Sequence, residues 1–443
     1  MKKNHVNWGR SSPLERILSA FLIRVKDAAS YLIIPPKPHR CNGDEQRYPS
    51  KIGNYSKGLP HNELGEVELF AYQAFLTALN TGKPSDFEQI PLGGAVKLTD
   101  PQSAYAYELA GPDSHQITLE APPSFSSARE ASEMAELYWR ALARDVPFAE
   151  YDTNPITQEA AADLSTYSDF GGPKVNGRVT TDTLFRGDKS GDVLGPFLSQ
   201  FMWKDVPYGA DTVVQQYRTT VPKDDHLTDY KEWLKIQNGM LPSTSNVFDT
   251  AKRYIRDGRG LSEYVHEDFP YMAVLNACLI LLSYGPDALD QNNPYLQSLT
   301  QTGFSTFGAP HILDFTARAA RAALEAAWFQ KFLVHRRLRP EEFGGRVHNT
   351  KIGAAQYPIH EDLLSSRVLT EIDKQYGSFL LPVAYAEGCA THPAFPGGHA
   401  SFASAGVTML KAFFNESFVI PNPVQASADG LSLIPRGSLL NNW

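Results

Sequence analysis

The chain has 443 residues, 42% of them hydrophobic and 20% charged, a balance that excludes a disordered polymer. Its 41 Lys and Arg stand against 49 Asp and Glu, a formal charge of −8. That excludes a global pull on nucleic acid or anionic lipid, so any anion must be caught by a local basic cluster.

In chain order, apolar residues at helical spacing predict helices over residues 14–32, 64–79, 126–142, 271–283, 313–338, 361–374 and 400–414. The fourth is apolar nearly all round, as a helix buried in a bundle should be. Residues 143–264 are rich in Gly, Pro, Asp and Asn and read mostly as loop. A long excursion of that kind usually covers a site or an interface. Alternating strand patterns are nearly absent, and the β-leaning run at 212–217 is solitary. The expected fold is an all-α helical bundle with long loops. It divides softly into a loop-rich N-terminal part, 1–260, and a helical core, 261–443.

No run approaches the ~20 apolar residues that span a bilayer. Lys2 and Lys3 precede a short apolar piece at 17–23 that meets Arg24 and Lys26 at once, which makes a poor signal peptide. Cys41, Cys278 and Cys389 are too few for a disulfide framework or a Cys-based zinc site. A soluble protein of a reducing, cytoplasmic compartment is expected, without membrane or nucleic-acid partners, and the sequons at Asn54 and Asn415 then carry no weight.

Two segments concentrate chemistry. Residues 328–346 hold Lys331, Arg336, Arg337, Arg339 and Arg346 against Glu341 and Glu342, a local charge of +3. Lys331 and His335 lie one helical turn apart, and Pro340 should end the helix at Arg339. Arg339 as a fork and Lys331 as a point charge could then converge on one small anion. The bland alternative is a solvated helix end whose cations offset the C-terminal dipole. Residues 388–399 form a Gly- and Pro-rich loop ending Pro396-Gly397-Gly398-His399, directly before a predicted helix. The orphan N–H groups and dipole of that helix suit an oxyanion at Gly398, with His399 placed to exchange a proton. Here the alternative is a plain glycine turn capped by His399.

Together these segments resemble the vanadium-dependent haloperoxidases of the bromoperoxidase type, related in fold to membrane and acid phosphatases. The matching strings are Lys331…His335-Arg336-Arg337-Leu338-Arg339-Pro340-Glu341 and Thr391-His392-Pro393…Pro396-Gly397-Gly398-His399-Ala400. The resemblance implies a helical fold with vanadate as prosthetic group, and hydrogen peroxide and halide as substrates. By it, Lys331 would bind an equatorial oxygen and polarise peroxide, and Arg339 would clamp vanadate oxygens. Gly397 and Gly398 would form the cradle, Gly398 through its N–H, and His399 would be the acid–base group. Trp328 and His392 would tune halide handling, His392 leaning towards bromide. A small organic acceptor and a homo-oligomer are further expectations of the family.

Two departures from the family pattern stand out. Gly397 occupies a position where the family often has Ser, so a hydroxyl to the cofactor is missing. The family's third motif supplies another Arg and the His bonded to vanadium, whereas here the sequence stops 44 residues after His399 and those residues contain no His. Arg436, their one Arg, reads as a tail residue, so a C-terminally incomplete site and weak vanadate binding are expected. Two other functions stay open, an acid phosphatase of the same superfamily and a non-catalytic oxyanion-binding protein. The seven residues between Lys331 and Arg339 exceed the phosphatase spacing and favour the peroxidase. Arg186-Gly187-Asp188, His266-Glu267-Asp268 and Asp224-Asp225 read as surface or chance features, lacking the spacing of an adhesion, metal or calcium site.

Overall fold

A computed structural model describes residues 12–35, 37–189, 191–193 and 195–436. The expectations placed on Lys2, Lys3 and residues 437–443 lie outside these. Helix α1, Pro13–Leu32, starts where Ser12 accepts the N–H of Glu15 and Glu15 returns a bond to Ser12, with Pro13 at the first position. None of its residues is buried. Helix α2, Leu69–Thr81, begins five residues later than its apolar spacing suggests, because residues 61–67 close a β-bridge between His61 and Val67 instead. Helix α3, Ala128–Leu142, begins at the Ser127 cap.

The stretch read as loop holds three further helices: α4, Pro155–Leu164; α5, Tyr230–Gln237; and α6, Gly258–His266. Asn154, Asp229 and Asp257 cap them, each accepting a first-turn N–H. Those Asn and Asp residues pointed to loop only because caps and turns draw on the same side chains. A two-residue turn joins β1, Val206–Tyr208, to β2, Asp211–Val213, with Val206 opposite Val213.

Helices α7, Met272–Ser283, and α8, Ala309–Phe329, form a small bundle with the late helix described below. Helix α8 does not run on to Pro340. It ends in a wide π-turn, Gln330–His335, in which the N–H of Arg336 reaches the carbonyl of Lys331 at 2.9 Å. Arg336 then takes a left-handed conformation at φ 43°. Pro340 opens rather than closes a helix: it is the first residue of α9, Pro340–Lys351, with Arg339 as its N-cap. The predicted 361–374 helix is a single turn, Glu361–Leu364, followed by α10, Arg367–Tyr376, because Ser366 caps a fresh start.

The last helix, α11, spans Gly398–Phe413 and packs along α8. It also approaches α7 so closely that a Cβ at Gly406 would lie 2.8 Å from Val274. A separate core joins Trp139, Tyr138 and Leu164 to Phe343, Val347 and Ile372, so residues from both sides of position 260 share one interior. A second hairpin, β3, Val424–Ala426, and β4, Leu433–Pro435, completes a fold whose regular structure is mainly helical, as expected. Among the described residues no helix is long and apolar enough to cross a membrane.

Candidate functional site

The five cations of the basic segment divide into two groups. Arg336 forks onto Glu45 at 2.8 and 2.6 Å, and Arg337 pairs with Glu130 and, at 2.7 Å, with Glu133. Arg346 is buried against the carbonyl of Gly65 at 2.7 Å. These three hold the fold together. Lys331 and Arg339 face no carboxylate at ion-pair distance among the described residues, and both reach carbonyls of the 388–399 loop. Lys331 Nζ donates to Pro393 O at 2.7 Å and Arg339 Nη1 to His392 O at 2.8 Å, while Arg339 Nε is buried with no partner. His335 is absorbed into packing, its ring edge-on to Phe395 at 4.9 Å.

Gly397 is the N-cap of α11 and Gly398 its first helical residue, and no side chain caps the first turn. The leading N–H groups of α11, and its positive dipole end, are therefore open to an anion. The Trp328 ring lies 5.0 Å from that of His392 and beneath Gly398, where a Cβ would meet it at 3.5 Å. The second motif thus rests directly on the first.

His399 Nε2 lies 3.0 Å from Asp268 Oδ1, the carboxylate largely buried and the imidazole exposed. Of the tripeptide read as surface, His266 and Glu267 are indeed exposed, while the Asp268 carboxylate is turned inward onto His399. His266 stacks on Tyr385 at 3.7 Å and bonds Glu387 at 2.6 Å, in the same cleft wall. No local spacing could have paired Asp268 with a residue 131 positions away. The other minor signals stay structural. Asp225 pairs with Arg144 and Arg259, and Arg186 covers the Phe197 ring at 4.0 Å. Asn54 is buried, and the three cysteines are unpaired.

A buried framework, absent from the sequence reading, fixes the gap between Arg339 and the loop. Lys57 Nζ sits 2.6 Å from Glu341 Oε1 and donates to the carbonyls of Glu387 and Cys389 at 2.9 and 2.5 Å. Glu341 Oε2 accepts the Cys389 N–H at 2.6 Å. Glu342, the third residue of α9, accepts the N–H of Arg339 at 3.0 Å and both the N–H and hydroxyl of Ser56 at 2.9 Å.

These parts border a cleft of about 770 Å³. Arg339, Cys389, Asp268, His266 and His399 are among its polar lining, and Leu137, Phe148, Phe185, Leu261 and Val265 give it apolar walls. Lys331 stands behind this lining, nearly inaccessible. Burial, aided by the nearby Arg339 charge, pulls its ammonium down to about 7. Burial, then Arg339 and Lys331, pulls His392 down to about 3, so its imidazole is neutral near pH 7. Burial pushes the Cys389 thiol up, with Glu341 adding to it. An amine held partly neutral by burial, with a second cation nearby, is a site short of negative charge.

A vanadium-dependent bromoperoxidase of Ascophyllum nodosum is 33% identical over 455 residues, 97% of this chain and 81% of that protein. Another, of Corallina officinalis, is 31% identical over 513 residues, covering 95% and 86%. The second vanadate-dependent bromoperoxidase of A. nodosum, solved as a homohexamer, superposes with a TM-score of 0.91 at 31% identity, over 99% of this chain and 78% of that one. No protein-family model matches the chain.

Proposed function

The chain belongs to the vanadium-dependent bromoperoxidases, and on that premise we propose that it oxidises bromide with hydrogen peroxide, using vanadate as cofactor, in the cleft lined by Arg339 and His399. The observation that carries this is an unpartnered Arg339 Nε and an uncapped α11 start, with Arg339 and His399 lining the same cleft. Both are donors without an acceptor, the complement of a tetrahedral or five-coordinate oxo anion.

The residues present fit such a group. Arg339 would hold its oxygens by charge-assisted hydrogen bonds, the Gly398 N–H would donate from the helix start, and Lys331 would supply a second positive charge once the anion restores its proton. Bound vanadate supplies a Lewis-acidic centre that activates peroxide towards halide without a change in the metal's oxidation state. Asp268, at His399 Nε2, favours the tautomer with its proton on that nitrogen. Nδ1 is then left to take or deliver a proton as peroxide enters and hypohalous acid leaves. Trp328 and the neutral His392 pack together, with Trp328 beneath Gly398.

The apolar walls would take a small organic acceptor for the hypohalous product. The homohexameric relative supports a homo-oligomer for this chain as well. Unpaired cysteines fit a reducing compartment. The test is bromide-dependent halogenation of a dye by peroxide, with and without added vanadate, run beside hydrolysis of a phosphate ester. Vanadate-dependent halogenation is expected; ester hydrolysis without it would establish the phosphatase instead.

A further inference from the structure

We propose that a second cavity, which shares Phe148, Tyr151 and Phe197 with the cleft, binds a small aromatic carboxylate through Arg186 and Arg436. The ligand's use as a halogen acceptor rests on the peroxidase reading above; the binding itself does not.

The cavity holds about 220 Å³ between residues 147–152, Arg186 with residues 195–197, and the β3–β4 hairpin. Three arginines line it against two aspartates, Asp152 and Asp182. Arg256 is already engaged, its Nε 3.2 Å from Asp257 Oδ2 and its Nη1 donating to the carbonyl of Ala428 at 2.7 Å. Arg186 donates to the carbonyls of Asp192 and Gly195 at 3.0 and 2.9 Å, and its Nε is buried with no partner. Arg436, expected as a tail residue, donates to the side-chain carbonyl of Gln425 at 3.3 Å. Neither has a carboxylate at ion-pair distance among the described residues, so neutral acceptors leave both charges in place. Asp152 is taken by the Thr181 hydroxyl at 2.7 Å. Burial pulls the Arg186 pKa down; Asp182 opposes this and the Arg436 charge adds to it. Two guanidinium groups brought together in this way are offset by a bound anion, and a carboxylate matches their planar fork.

The walls select an aromatic body for that anion. The Arg186 guanidinium lies 4.0 Å from the centre of the Phe197 ring. Phe148 stacks on Phe197 at 5.4 Å with 19° between their planes, and Tyr151 tilts against Phe197 at 4.7 Å. Ring faces of this kind suit a flat ligand by offset stacking. The volume corresponds to roughly seven liquid waters, more than a free inorganic oxyanion displaces. A phenolic acid fits both the charge and the space. It is also an acceptor for hypobromous acid: the ring's electron pair forms a C–Br bond, the O–Br bond breaks, and the displaced ring proton leaves with hydroxide as water.

The experiment titrates the full chain with 4-hydroxybenzoate, phenol and inorganic phosphate by calorimetry, comparing wild type with Arg436→Gln and Arg186→Gln. Wild type should bind 4-hydroxybenzoate at least tenfold more tightly than phenol or phosphate. Each variant should lose about tenfold of that affinity, the scale of one charge-assisted hydrogen bond, with phenol binding unchanged. Arg436→Gln carries the test if Arg186→Gln, which also releases loop carbonyls, fails to fold. In peroxide-driven bromination the variants should raise KM for 4-hydroxybenzoate about tenfold and leave kcat, and KM for phenol, unchanged. Tight binding retained in the variants, or absent from wild type, overturns the site. Phosphate bound as tightly as 4-hydroxybenzoate overturns the aromatic class. Variants that lose binding yet keep KM overturn the acceptor role. A chain that binds 4-hydroxybenzoate through these arginines and brominates nothing overturns the peroxidase reading and leaves the site standing.

Discussion

The ammonium of Lys57 lies 2.6 Å from the carboxylate of Glu341, and both side chains are shut away from water. Each partner also grips the 387–389 loop, Lys57 through two carbonyls and Glu341 through the Cys389 N–H. Such a pair is weak evidence for net stability, but breaking it by removing one member strands a buried charge. Glu341→Gln should cost about 3–5 kcal/mol in denaturant unfolding. Lys57→Met should cost a similar amount, and the double variant much less than their sum. Additive losses would mean that the two groups act independently. If the framework also spaces Arg339 from the loop, the double variant binds vanadate less tightly despite its recovered stability.

Asp268→Asn keeps shape but withdraws the carboxylate from His399. The ring then loses the acceptor that orients it and fixes its tautomer. Bromide oxidation should drop by roughly 10²-fold, chiefly in kcat, and His399→Ala should lose at least as much. Unchanged bromide oxidation in Asp268→Asn would remove Asp268 from the mechanism.

Lys331 gives anion binding a pH dependence with a definite sign. Its amine is pulled down to about 7 from the usual 10.5, so above pH 7 it is largely neutral in the free protein. A bound anion favours the charged form, so binding should take up a proton between these two values. Affinity should therefore weaken as pH rises above 7. Sulfate, whose own charge is constant there, makes a clean probe by calorimetry in buffers of different ionisation enthalpy. The same shift also sets the sign for folding: the unfolded chain binds more protons between pH 7 and 10.5, so this residue's contribution to stability rises with pH across that window. Lys331→Met should abolish both slopes.

Gly397→Ser is accommodated. A Cβ there meets Ala400 at 3.5 Å, an ordinary contact, and the backbone at φ −66° suits any residue. The hydroxyl would cap α11, which now lacks a side-chain cap, and should add a few tenths of a kcal/mol of stability. It would also offer the oxyanion one more hydrogen bond, so vanadate affinity should rise. A lower affinity in equilibrium dialysis would show that the hydroxyl competes for the first-turn N–H groups instead.

Much of the site was legible because its residues are close in sequence. Lys331 and Arg339 flank one turn, and Gly397, Gly398 and His399 open one helix, so spacing and helix-end physics pointed to both. What could not be read is what tertiary contact alone creates. Asp268 and Lys57 carry no motif of their own and matter because folding delivers them to His399 and Glu341. The basic string was also ambiguous, since Arg336 and Arg337 look like Arg339 in sequence and differ by having Glu45, Glu130 and Glu133 beside them. Helices α4, α5 and α6 were hidden for a simpler reason: they are short, and their caps look like turns.

The wide turn at Gln330–His335 has a mechanical consequence. A π-turn is one residue longer than the α-helical turn it replaces. Deleting a single position from it would restore a regular helix, a gain for local geometry. The left-handed exit at Arg336 would move back by one position, and Arg339 would leave in another direction from the one that now brings its charge near Lys331.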